Sequence, residues 1–92
     1  MQAGEILKVT GGRLLSGDPA AIIRADRITT DSRQVVRGSL FIALKGDKFD
    51  GNSFAGQALR KWAMGVVVSG PASLAHTAKD LVIKVDDTLK AL

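Results

Sequence analysis

Apolar residues along this chain come in short runs separated by glycine and small polar residues, and the spacing of each run predicts an element. Ile6, Leu7 and Val9 precede Gly11-Gly12 and read as the buried side of a short helix stopped by glycine. Arg13-Leu14-Leu15-Ser16 is a short strand candidate closed by the turn signal Gly17-Asp18-Pro19. An isoleucine-rich extended stretch follows from Ala21 to Ile28, interrupted by Arg24, Asp26 and Arg27. Thr29-Thr30-Asp31-Ser32 is a loop or cap, because each of these side chains can hydrogen-bond nearby backbone. Leu40-Phe41-Ile42-Ala43-Leu44 lies between turn signals and predicts a strand buried on both faces.

After the loop Gly46 to Asn52, Ser53 is the expected N-cap of a helix ending near Met64, with Gly65 as its stop. Phe54, Ala58 and Trp62 lie at i, i+4 and i+8 of that helix, which assigns both aromatic rings to the core. Val66-Val67-Val68 and Leu81 to Val85 are further strands, flanking a turn at Ser69-Gly70-Pro71 and a weak helix over Ala72 to Ala78. Asp86 or Asp87 would cap a new helix whose first turn is Thr88 to Leu92. Five residues do not sustain a helix alone, so the expectation is that the polypeptide continues. Strands alternating with helices give an α/β fold: a small three-layer domain with a mixed sheet of about four or five short strands flanked by helices.

Composition narrows the chemistry. The chain has 92 residues, 46% of them hydrophobic and 24% charged, which suits one small folded domain. It has no cysteine and a single histidine, His76, so a metal site would rest on carboxylates alone. The longest apolar runs are far too short to span a bilayer, and the N-terminus lacks the pattern of a signal peptide. A cytoplasmic protein without a membrane partner is therefore expected. The net charge of +4 arises mainly between Arg24 and Lys48, where six bases face three acids. The four aromatic residues are not interleaved with these bases, which argues against nucleic acid and for a small anionic ligand.

Two loops are candidates for that ligand. Gly46 and Gly51 have the Gly-x4-Gly spacing of a phosphate loop, but Asn52 stands where the essential lysine belongs, and no Gly-Lys dipeptide occurs in the chain. The segment therefore is not an ATP loop. It also fails as a calcium loop, because Gly46 and Lys48 occupy carboxylate positions. A helix starting near Asn52 and Ser53 would still present free N–H groups to an anion. The plain alternative is a strand-to-helix connection that needs glycine. In the other loop, Thr30-Asp31-Ser32-Arg33, hydroxyls beside an arginine suit a phosphate or a polar ring. Alternatively, Asp31 caps a turn and Arg33 pairs with Asp31 or Asp26. Ser32 is no nucleophile, since His76 lies 44 positions away in a segment that reads as an ordinary helix.

Taken together, Ile28-Thr-Thr-Asp-Ser-Arg33, Gly38-Ser-Leu-Phe-Ile-Ala-Leu-Lys-Gly46 and Phe49-Asp-Gly-Asn-Ser-Phe54 resemble the N-terminal domain of the Mur ligases, the ATP-dependent amide ligases of peptidoglycan precursor synthesis. Ala58 to Val68 and Val85 to Leu92 fit the same pattern, so the similarity extends over essentially the whole chain. The segments Ile6 to Gly17 and Ala43 to Gly51 look most like the member that adds D-alanyl-D-alanine to the muramoyl tripeptide, followed by the member that adds the third amino acid. The resemblance implies that residues 1–85 form the domain holding the uridine diphosphate part of UDP-N-acetylmuramoyl peptide. It implies that residues 86–92 begin the connection to a central ATP-binding domain. In the whole enzyme, ATP with Mg2+ would phosphorylate the precursor carboxylate, which the D-alanyl-D-alanine amine then attacks. No cofactor and no catalytic residue is expected within residues 1–92. The implied substrate site comprises Thr30, Ser32, Arg33, Lys45, Gly46, Asp50, Gly51 and Asn52, with Asn52 where many members carry histidine. A stand-alone nucleotide- or nucleic-acid-binding module, or a purely structural interaction domain, would share this composition.

Overall fold

The computed structural model describes residues 1–45, 51–69 and 79–86, with Gly51 and Asn52 described in their backbone only. The expected helix over 72–78 with His76, the turn 88–92, and the site candidates Gly46 and Asp50 lie outside the described residues. Two helices and five strands follow one another as α1 (Ala3–Thr10), β1 (Arg13–Ser16), β2 (Ile28–Thr29), β3 (Leu40–Ile42), α2 (Ala55–Arg60), β4 (Gly65–Val68) and β5 (Leu81–Lys84). The strands form one sheet in the order β1-β5-β4-β3-β2. β2, β3, β4 and β5 run parallel, and β1 closes the far edge antiparallel to β5. This is the mixed five-stranded α/β sheet expected from the sequence.

Period-two alternation sends each strand's side chains to two separate cores. Phe41, Val66, Val68 and Val82 meet Ala55, Ala58 and Ala63 on the α2 side. Leu40, Val67, Leu81 and Ile83 meet Ala3, Ile6 and Ile23 on the α1 side. A parallel sheet covered on both faces explains why β3 and β4 read as unbroken apolar runs. α1 ends as expected at Gly11, left-handed at φ 68°, while Val9 is exposed rather than packed. The stretch from Ala21 to Ile28 is not one strand. Ile22 bridges Gln2, residues Ala25–Arg27 form a 3-10 turn beside an Arg24–Asp26 ion pair, and only Ile28–Thr29 joins the sheet.

The largest departure concerns the helix expected from Ser53 to Met64. A 3-10 turn spans Gly51–Phe54, and α2 then covers only Ala55–Arg60. Trp62 N–H bonds to Leu59 O at 3.1 Å and Ala63 N–H to Ala58 O at 3.2 Å, the pair of bonds that ends a helix through a left-handed residue. That residue is Trp62 itself, at φ 72°. Its ring leaves the core, 69% exposed, with the Arg37 guanidinium 5.2 Å from the ring centroid. The assignment of Trp62 to the core is therefore overturned, because the helical period stops before position i+8. Gly65 does not stop the helix either. It opens β4, where a Cβ would collide with the carbonyl oxygen and Cβ of Leu81 on β5.

Candidate functional site

Parallel pairing brings the ends of β2 and β3 to the same edge of the sheet, with Ile28 opposite Leu40 and Thr29 opposite Phe41. The chain leaving β2 becomes Thr30 to Arg33, and the chain leaving β3 becomes Ala43 to Lys45. Between them opens a cleft of about 380 Å³ lined by Thr30, Asp31, Ser32, Arg33, Phe41, Leu44 and Phe54. One wall is a polar loop and the other is apolar, with Phe54 contributed by the turn that precedes α2. Both features come from the fold. Ligands of open α/β sheets sit outside the carboxyl ends of the strands, and small-ligand pockets combine apolar walls with a few placed polar groups.

The polar wall is held by its own short-range bonds. Thr29 Oγ1 accepts the Asp31 N–H at 3.1 Å and donates to the Asp31 carbonyl at 3.3 Å. Asp31 caps the 3-10 turn Ser32–Gln34 by accepting the Arg33 N–H at 2.9 Å. Its carboxylate also accepts from Arg33 Nε at 3.1 Å and Nη2 at 3.0 Å. These bonds hold the Asp31 carboxyl below its ordinary range and raise the Arg33 guanidinium above its own. The hydroxyls of Thr30 and Ser32 have no hydrogen-bond partner among the described residues, which leaves both groups available to a ligand.

Of the expected site residues, Thr30, Ser32 and Arg33 meet in the cleft. Lys45 is exposed beyond Leu44 and does not line it. Gly51 and Asn52 lie in the turn that delivers Phe54. Three apolar wall residues escaped the sequence reading. Phe41 and Leu44 read as strand core, and Phe54 as the inner face of a helix. Phe54 is 46% exposed and forms the rim of the cleft, which corrects its assignment to the core. The available signal was its place just after a glycine-rich strand-to-helix loop.

A mostly parallel sheet with a half-polar cleft at its strand ends places the chain in the α/β class, whose ligands, where bound, sit at such strand ends. The family model described as "Mur ligase family, catalytic domain" matches residues 24–92, and the chain belongs to the Mur ligase family. Over 70 residues it is 46% identical to a Synechocystis protein named UDP-N-acetylmuramoyl-tripeptide–D-alanyl-D-alanine ligase, covering 75% of this chain and 15% of that protein. Over 69 residues it is 45% identical to UDP-N-acetylmuramoyl-L-alanyl-D-glutamate–2,6-diaminopimelate ligase of Aquifex aeolicus, covering 75% of this chain and 14% of the relative. The crystal structure of MurF from Acinetobacter baumannii matches 98% of this chain and 19% of its own, with a TM-score of 0.79 and 31% identity. The chain thus spans only about one seventh of the length of the curated relatives it matches.

Proposed function

We propose that this chain is the substrate-recognition domain of a peptidoglycan-precursor ligase, and that its cleft holds the uridine-nucleotide end of UDP-N-acetylmuramoyl tripeptide. The observation that carries this reading is the cleft itself: free hydroxyls of Thr30 and Ser32 face an apolar wall that includes the half-exposed ring of Phe54. In the whole enzyme, ATP with Mg2+ and D-alanyl-D-alanine engage other parts of the polypeptide, and the reaction joins the dipeptide to the muramoyl tripeptide. Residues 1–85 form the recognition domain, and residues 86–92 begin its connection to the ATP-binding domain. The protein is cytoplasmic and takes neither nucleic acid nor membrane as partner. The described residues contain no helix long and apolar enough to cross a membrane. Addition of the third amino acid is the second reading, favoured by the 45% identity to the Aquifex relative.

The proposed site also takes in Lys45, which follows β3, the turn residues Gly51 and Asn52, and Gly46 and Asp50. The test is an NMR titration of the chain with UDP-N-acetylmuramoyl tripeptide. Weak binding is expected, with shifts centred on Thr30 to Arg33, Leu44 and Phe54. Shifts confined to α1 and β1 would overturn the placement. Ligation by the full-length enzyme of D-alanyl-D-alanine to the tripeptide, against addition of an amino acid to the dipeptide, decides between the two readings.

A further inference from the structure

Among the described residues, every side-chain hydrogen bond of Asp31 runs to Arg33, and these bonds separate into two jobs. Oδ1 accepts the Arg33 backbone N–H and so caps the 3-10 turn, a role that asparagine also performs. The other two contacts are to the guanidinium, Nε to Oδ1 and Nη2 to Oδ2, the two-point pairing of an arginine–carboxylate fork. Capping does not need this fork. The fork does fix an arginine that packing leaves free, since the Arg33 side chain is 86% exposed. Asp31 is itself held from behind by the two bonds to Thr29 at the end of β2. Lys61, beyond the end of α2, adds a second positive charge acting on the carboxylate, which favours its ionised form.

The fork engages Nε–H and one Nη2 N–H of the five guanidinium N–H groups, and the remaining three have no partner among the described residues. It also compensates the arginine's charge, leaving a rigid donor with little net attraction for an anion. We infer that Asp31 is a positioning residue that holds Arg33 as a charge-compensated donor to neutral acceptor oxygens of the ligand, not to its phosphates. The inference rests on the reading of the cleft as a uridine-nucleotide site. It differs from the simpler expectation for an exposed arginine in such a site, which is direct contact with the diphosphate.

The test compares uridine and UDP as probes, titrated into the wild-type chain and into Arg33→Ala, Asp31→Asn and the double variant. Arg33→Ala is expected to weaken both probes by the same factor, about three- to tenfold. Asp31→Asn keeps the backbone cap and loses only the exposed fork, so its thermal midpoint should fall by no more than about a degree or two while uridine binding falls by a similar factor. The double variant should bind uridine within twofold of Arg33→Ala alone, because Asp31 acts through Arg33. Loss of UDP binding with uridine unaffected in Arg33→Ala would make Arg33 a phosphate ligand and overturn the inference, as would additive losses in the double variant. Absence of binding of both probes by the wild type would instead overturn the nucleotide reading, and with it Arg33's ligand role. The fork is judged separately by the Arg33 Nε–H resonance, expected to exchange slowly in the wild type and rapidly in Asp31→Asn. An unchanged resonance would sink it.

Discussion

Phe54 shows how little of a binding wall is visible in a single residue's hydrophobicity. Half of its ring faces solvent at the rim of the cleft, where it can lie against a flat ligand, so its removal should separate binding from stability. Phe54→Ala is expected to cost about 1 kcal/mol of stability, against about 3–5 kcal/mol for a fully buried phenylalanine. Calorimetry should show that modest loss together with roughly tenfold weaker binding of the uridine nucleotide. The Asp31 carboxyl yields a pH prediction of definite sign. Because the Arg33 fork and backbone bond lower its folded-state pKa, the contribution of this contact is complete above the ordinary carboxylate pKa of about 3.9 and is lost only as pH falls through the lower folded value. Carbon-13 titration of Asp31 should show a midpoint below 3.9, returning toward it in Arg33→Ala. The hydroxyls and Arg33 were legible in the sequence because polar residues between strands have few other uses. The apolar wall was not, because Phe41, Leu44 and Phe54 carry the same signal whether they fill a core or line a crevice.

At the scale of elements, strand positions were legible and helix ends were not. Runs such as Val66 to Val68 allow few alternatives once both faces of the sheet are covered. The end of α2 depends instead on a left-handed residue that composition does not announce, since Trp62 occupies a position usually given to glycine. Its strain of about 1–2 kcal/mol is offset in part by an exposed cation–π contact of about 0.5–1 kcal/mol with Arg37. Trp62→Gly should therefore stay within about 1 kcal/mol of the wild type in urea unfolding. A loss of about 3–5 kcal/mol, typical of a buried tryptophan, would contradict the exposed placement. Native tryptophan emission should likewise be that of a solvated indole. Gly65 makes the opposite case. Gly65→Ala forces a methyl group into the Leu81 backbone, and a loss of about 2 kcal/mol or more is expected from the same measurement.

For the whole molecule, the two cores share one sheet, so neither face can loosen without disturbing the other. Urea unfolding followed by circular dichroism should show a single transition, with near-ultraviolet and far-ultraviolet signals coincident. The purified 92-residue chain should hydrolyse no ATP with or without Mg2+, since it lacks the lysine loop that the chemistry requires. Turnover by a clean preparation would contradict this, measured as phosphate release. The sheet order carries one more consequence, for the time when the protein is made. β1 emerges early but takes β5 as its partner, Arg13 lying opposite Lys84, about 70 residues later. At roughly 5–20 residues per second, a ribosome needs about 4–14 seconds to supply that partner. During that interval β1 is an unpaired strand beside a half-built hydrophobic layer, and a nascent chain stalled before residue 81 should be held by chaperones or proteases far more readily than one stalled just past β5.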